Sequence, residues 1–134
     1  MADKLVYEYV GRNQVIEFTQ LTAASTGTEA IDLRTQDGKG IYTDVLFAGT
    51  VASINTSVSI CLQGSLDNSN WFNLDVDEGL DKYTANGTYG IRYEGSGEVI
   101  FIRYYFYAEV GGTDATIDVK AKIFGKPIYH NVSG

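Results

Sequence analysis

The chain has 134 residues, a formal charge of −7, a hydrophobic content of 44% and a single cysteine. That length fits one domain, and folding at this size buries roughly two-thirds of the unfolded surface, enough for one real core. An acidic chain with scattered Lys and Arg is repelled by nucleic-acid phosphates, no window approaches the run of about 20 apolar residues of a membrane span, and Cys61 has no partner for an internal disulfide, which fits a reducing cytoplasm.

Residues 1–13 open with Leu5, Val6, Tyr7, Tyr9 and Val10, apolar on both sides of an extended segment. They read as an edge strand or as an N-terminal arm that docks on a neighbour. The first ten residues lack the basic and apolar regions of a signal peptide, so synthesis without secretion is expected. A strand is predicted over 15–20, with Ile16 and Phe18 inward. Residues 22–28 are a loop by composition, 29–33 a short strand, and 36–40 a turn whose two glycines accept positive φ.

Further strands are expected over 41–50 and 55–63. In the second, Val58, Ile60 and Leu62 alternate with Ser57, Ser59, Cys61 and Gln63, which places the thiol on a polar face. Residues 64–70 turn into a short strand, 71–74, and 75–81 form an acidic loop. Asn86-Gly87 is a hairpin signal between Tyr83 and Tyr89. Gly95-Ser96-Gly97 and Gly111-Gly112 read as hairpin turns into two long strands, and residues 125–134 form a C-terminal tail.

Those two strands carry the most information. Over 115–123, Ala115, Ile117, Val119, Ala121 and Ile123 alternate with Thr116, Asp118, Lys120 and Lys122, the period of a strand with one dry and one wet face. Over 98–110 the even face is apolar: Ile100, Ile102, Tyr104, Phe106, Ala108 and Val110. The odd face carries Val99, Phe101, Arg103, Tyr105, Tyr107 and Glu109, a mix of aromatics with Arg of the kind enriched at protein–protein interfaces. Either a second sheet of the same chain or another subunit would cover that row.

No segment has sustained helical spacing. Short strands with turn signals every 8–12 residues or so predict an all-β fold, and joins too short for parallel crossovers predict antiparallel pairing. The expected architecture is a single antiparallel β-sandwich spanning residues 1–134, jelly-roll-like, with long terminal or loop arms. Its expected core includes Val58, Ile60, Leu62, Ile100, Ile102, Tyr104, Phe106, Ile117, Val119 and Ala121.

No residue pattern carries reaction chemistry. His130 stands alone in the tail, Cys61 has no histidine near it in sequence, and no zinc spacing occurs. Asp75, Asp77 and Asp81 are the best candidates for a hard cation, but Gly79 falls one place early for an EF-hand. Residues 67–70 are a turn before they are a ligand set. The acids sit in turns or on wet faces, not as the paired carboxylates of a glycosidase. With no signal peptide expected, the sequons at Asn55, Asn86 and Asn131 read as ordinary loop chemistry. Catalytic, metal and cofactor residues are therefore expected to be none. Trp71 reads first as an anchor between sheets, and with Phe72 as an alternative sugar-stacking platform.

Residues 58–74, in which an alternating strand ends in Leu62-Gln63-Gly64-Ser65 and an Asp/Asn turn leads to Trp71, resemble a pattern of tailed-bacteriophage virion proteins. The later Gly87-Thr88-Tyr89-Gly90 turn, Ile102-Arg103-Tyr104 and the strand over 115–123 extend the resemblance across residues 41–125. It implies a β-sandwich that decorates the capsid or serves as a head or tail accessory. The expected function is a non-enzymatic virion structural protein acting by adhesion to capsid or other virion proteins and to sister copies in a homo-oligomer. Nucleic acid and membrane are not expected partners. The alternative is a carbohydrate-binding module whose glycan stacks on Trp71 and Phe72.

Overall fold

The computed structural model describes residues 6–74 and 81–129. Among them are thirteen strands and no helix: β1 (Val6–Tyr7), β2 (Val15–Glu17), β3 (Thr26–Gly27), β4 (Ala30–Asp32), β5 (Gly40–Ile41), β6 (Asp44–Ala52), β7 (Ser57–Ser65), β8 (Trp71–Asn73), β9 (Asp81–Tyr83), β10 (Gly87–Glu94), β11 (Phe101–Val110), β12 (Thr116–Ile123) and β13 (Ile128–Tyr129). The chain is all-β. Residues 75–80, His130 and Asn131 lie outside the described residues.

Two sheets share one core. The four-stranded sheet runs β10-β6-β12-β2, and the seven-stranded sheet runs β1-β4-β11-β7-β8, with β3 also on β11 and β9 also on β7. β5 and β13 form a separate pair. From β6 onward the chain crosses repeatedly between the two large sheets, the alternation that a jelly roll would need. Pairing is antiparallel except for β1, which lies parallel to β4. The described part of the N-terminal segment therefore docks on its own chain. There Tyr7 packs edge-on against Phe18, with ring centroids 5.3 Å apart, and its hydroxyl donates to the Glu17 carbonyl at 2.9 Å.

The alternation seen in the sequence becomes the core. Ile117, Val119, Ala121 and Ile123 of β12 and Val45, Phe47 and Val51 of β6 are buried with Val58, Ile60 and Leu62 of β7 and Ile102, Tyr104 and Phe106 of β11. Ile100 is only half-buried, at the margin of this cluster. A run of rings, Phe18–Phe47–Tyr104, crosses from one sheet to the other with centroids 6.2 and 6.1 Å apart. Gly49 makes the crossing possible. A Cβ there would lie 2.3 Å from the Tyr104 hydroxyl oxygen, so only glycine leaves room for the phenol.

Three sequence expectations need correction. The even face of the long strand stops at Phe106, because a β-bulge between Phe106 and Ala108 inserts Tyr107 as an unmatched residue. Beyond it the faces exchange, so Val110 is 53% exposed and Ala108 half-buried. Glu109 now stands opposite Val58, and its carboxylate accepts from the Ala115 backbone N–H at 3.0 Å. Second, the glycine turns are not hairpins. The joins around Asn86-Gly87, Gly95–Gly97 and Gly111-Gly112 each carry the chain from one sheet to the other. Third, residues 22–28 are not wholly loop, since β3 pairs with β11.

The inter-sheet joins are held by specific caps. Asn86 Oδ1 accepts from Ile54 N–H at 3.0 Å, and Glu98 accepts from Ser96 N–H at 2.6 Å and from the Tyr93 hydroxyl at 3.4 Å. Tyr83 and Tyr89 stack at 3.8 Å where the chain passes between sheets. Burial, then Asp81 and Tyr89, pushes the Tyr83 phenol up to about 12. Burial raises Tyr93 and Tyr104 as well. A phenol whose folded pKa exceeds its unfolded value of 10.0 stabilises the fold fully below pH 10, and that contribution is lost as pH rises through the folded value. Titration of phenolate absorbance on the folded chain should show these three ionising only above the ordinary tyrosine value of 10.0. A single step for all ten near pH 10 in a still-folded chain would contradict their burial.

Candidate functional site

β7 is an interior strand of the seven-stranded sheet, between β11 and β8, and both of its faces are covered. Val58, Ile60 and Leu62 face the core, while Cys61, Gln63 and Ser65 on the opposite face are also buried. Cys61 therefore does not lie on a wet face, as its polar neighbours in sequence suggest. The cover comes from β11 and β8, which flank β7 and carry the largest side chains of this outer face.

The register sets Arg103 opposite Gln63, and Gln63 opposite Asn73. Directly opposed residues in an antiparallel pair share a face, so three polar side chains line up across three strands. Arg103 Nε donates to Gln63 Oε1 at 2.8 Å, and Gln63 Nε2 donates to Asn73 Oδ1 at 2.9 Å. Cys61 Sγ lies 3.5 Å from the same Asn73 oxygen. This row leaves the Arg103 guanidinium 4.2 Å over the Trp71 ring and 5.1 Å from that of Tyr105. A cation between two aromatic faces is attracted to both and is fixed in position. Burial shifts the Arg103 pKa downward, although guanidinium keeps its charge at any physiological pH.

Of the expected odd row, Phe101, Arg103, Tyr105 and Tyr107 remain partly open to solvent, whereas Val99 is buried in the core and Glu109, past the bulge, stands opposite Val58. Phe101 lies beneath the Arg34 guanidinium at 5.5 Å, and Tyr105 meets Tyr107 edge-on at 6.3 Å. Arg34 is itself held by the buried Asp32 carboxylate, through its backbone N–H at 3.0 Å and Nε at 2.9 Å. Phe101, Arg103 and Tyr105 are half-buried by these neighbours, while Tyr107 is 42% exposed. Gly27 of β3 contributes by lacking a side chain. A Cβ there would come within 2.9 Å of Arg103 Cδ and 3.1 Å of Tyr105 Cδ1. Two parts of this surface escape sequence reasoning, Trp71 as a stacking partner and Gly27 as a gap. Only the register reveals them.

Trp71 is not an anchor between the sheets, because it lies on the outer face under Arg103 and outside the core cluster. Nor do Trp71 and Phe72 make one platform. Adjacent strand residues point to opposite faces, and Phe72, 46% exposed, is directed away from Trp71. The Asp67 carboxylate is occupied within its own turn. It accepts from Ser69 N–H at 2.9 Å, from Asn70 N–H at 2.8 Å and from the Ser65 hydroxyl at 3.0 Å, which holds its pKa well below the carboxylate range. The acidic residues 75–80 and His130 lie outside the described residues, and Asp81 belongs to β9.

No family model matches the sequence, and no curated protein matches it. Among solved structures, the crystal structure of the SPBc2 prophage-derived protein YomS is similar, with a TM-score of 0.50 over 82% of this chain and 90% of that one. At 13% identity the likeness is one of fold.

Proposed function

We propose that the chain is a non-enzymatic virion structural protein of a bacteriophage, a capsid decoration or head or tail accessory protein that works by adhesion. The observation that carries this reading is the outer face of the seven-stranded sheet, where Trp71 and Tyr105 flank an Arg103 that is already stacked and hydrogen-bonded, Tyr107 meets Tyr105, and Phe101 lies under Arg34. Side chains fixed before contact lose little entropy on binding, and aromatic residues with Arg dominate binding energy at interfaces. The fold shared with a prophage-derived protein supports the phage setting.

A non-catalytic role is supported by how the described carboxylates are used. Asp32 holds Arg34, Glu29 accepts from Thr19 N–H, Glu98 and Glu109 cap backbone N–H groups, and Asp67 closes a turn. Sugar recognition is the weaker reading, because the Trp71 face that a glycan would stack on carries Arg103. The covering partner of the aromatic face is a capsid or other virion protein, and many copies on a symmetric shell would add weak contacts by avidity.

The double variant Arg103→Glu with Tyr105→Ala tests the surface. It should leave the monomer folded, as judged by circular dichroism, and abolish co-sedimentation with virion shells lacking the native protein. Undiminished co-sedimentation of the folded double variant would remove this face from the account.

A further inference from the structure

We propose that two copies of this chain pair edge to edge through β10, antiparallel about a two-fold axis at Tyr93. The pairing is a property of the free chain and does not rest on the virion reading.

β10 is a long strand with one side unpaired. Among the described residues β6 is its one strand partner, and no strand pairs with its second edge. The direction of its backbone groups follows from the register. Gly95 N–H donates to the Thr43 carbonyl at 2.8 Å, which continues the pairing of Glu94 with Asp44 by one step. Hydrogen-bonded pairs alternate in an antiparallel ladder, so Tyr93, Ile91 and Tyr89 turn their backbone groups toward β6. Those of Thr88, Gly90, Arg92 and Glu94 point outward. Such a row templates another strand unless it is blunted by shortness, proline, a bulge or charge. The outer strands β1, β2, β8 and β9 have two or three residues each, whereas β10 has eight. It has neither proline nor a register shift.

Its only charges are Arg92 and Glu94, of opposite sign, and they select both the partner and the register. Both side chains lie on the outer face, more than half exposed, and they pair with each other at 3.5 Å. Centring the two-fold on Tyr93 places Arg92 of each copy opposite Glu94 of the other. Two reciprocal ion pairs and four backbone hydrogen bonds then form, with Ile91 opposite Gly95 of the second copy. Centring on Arg92 or on Glu94 would set like charges directly opposite, which is unfavourable. Centring on Ile91 would place Arg92 against Gly90 and leave the charges unmatched. A second copy is therefore the strand that this edge fits.

Sedimentation equilibrium over a concentration series reads the pairing through single and double charge reversals. Arg92→Glu alone and Glu94→Arg alone should each weaken wild-type self-association by about tenfold or more, since each sets like charges opposite twice. The double reversal should restore it. An equimolar mixture of the two single variants should form a heterodimer, because the two acidic side chains on one copy's edge then face the two basic side chains on the other's. All variants should stay folded by circular dichroism, with Arg92→Glu giving up only the stacking of its guanidinium over the Phe124 ring at 4.9 Å. A wild type that stays monomeric, single variants that associate like the wild type, or a double reversal that fails to recover would each overturn the proposal.

Discussion

Truncating Phe106 to alanine should destabilise the chain by about 3–5 kcal/mol. Phe106 is fully buried in the shared core and opposite Ile60. The loss combines the transfer free energy of the ring with the cavity left by partial collapse. Val110→Ala, four residues along the same strand, should change stability by only about 0.5 kcal/mol or less, because the bulge has turned that side chain out. Urea denaturation of the pair measures both values. Equal losses at the two positions would mean that the strand runs without its bulge and that the register is wrong.

The second large effect is expected at Gly49. An alanine there cannot keep its methyl 2.3 Å from the Tyr104 oxygen and 2.9 Å from Cζ, so β6 or the phenol must move. Overpacking of this kind costs about 1–3 kcal/mol, occasionally more. The Tyr104 hydroxyl is buried without a hydrogen-bond partner among the described residues, so Tyr104→Phe alone should be neutral or slightly stabilising. In the Tyr104→Phe background, Gly49→Ala should cost less than in the wild type, because the nearest contact has gone while the ring carbon remains. A double-mutant cycle reads this coupling directly. Additive effects would show that the phenol does not meet β6 at Gly49.

How far the fold was legible depends on what each residue's neighbours decide. The clean alternation of β12 and the inward faces of β7 and β11 as far as Phe106 were readable, because a period of two fixes the face wherever one side is dry. The bulge at Tyr107 was not, since an extra residue in one strand leaves no mark in composition. The glycine joins show another limit. Gly95-Ser96-Gly97 and Gly111-Gly112 offer the same backbone freedom whether the next strand pairs beside the last or crosses to the other sheet. That choice belongs to the core and to caps such as Glu98 and Glu109.

The candidate surface divides in the same way. Phe101, Arg103, Tyr105 and Tyr107 could be placed on one face from spacing alone, and the structure keeps them there. The role of Trp71 could not, because it depends on Asn73 meeting Gln63 and Gln63 meeting Arg103 across three strands. Cys61 looked wet for the same reason, since its cover is supplied by residues distant in sequence.

Hydroxyl-radical footprinting of the chain, free and mixed with the virion shells that the proposed function names as its partner, tests the proposed adhesive face most directly. Tyr107, Tyr105 and Trp71 should lose reactivity on binding, while exposed Tyr129, on the separate β5–β13 pair, should keep it. Protection confined to Tyr129 or to the four-stranded sheet, with Tyr107 as reactive bound as free, would contradict the assignment of the outer face of the seven-stranded sheet as the surface of attachment.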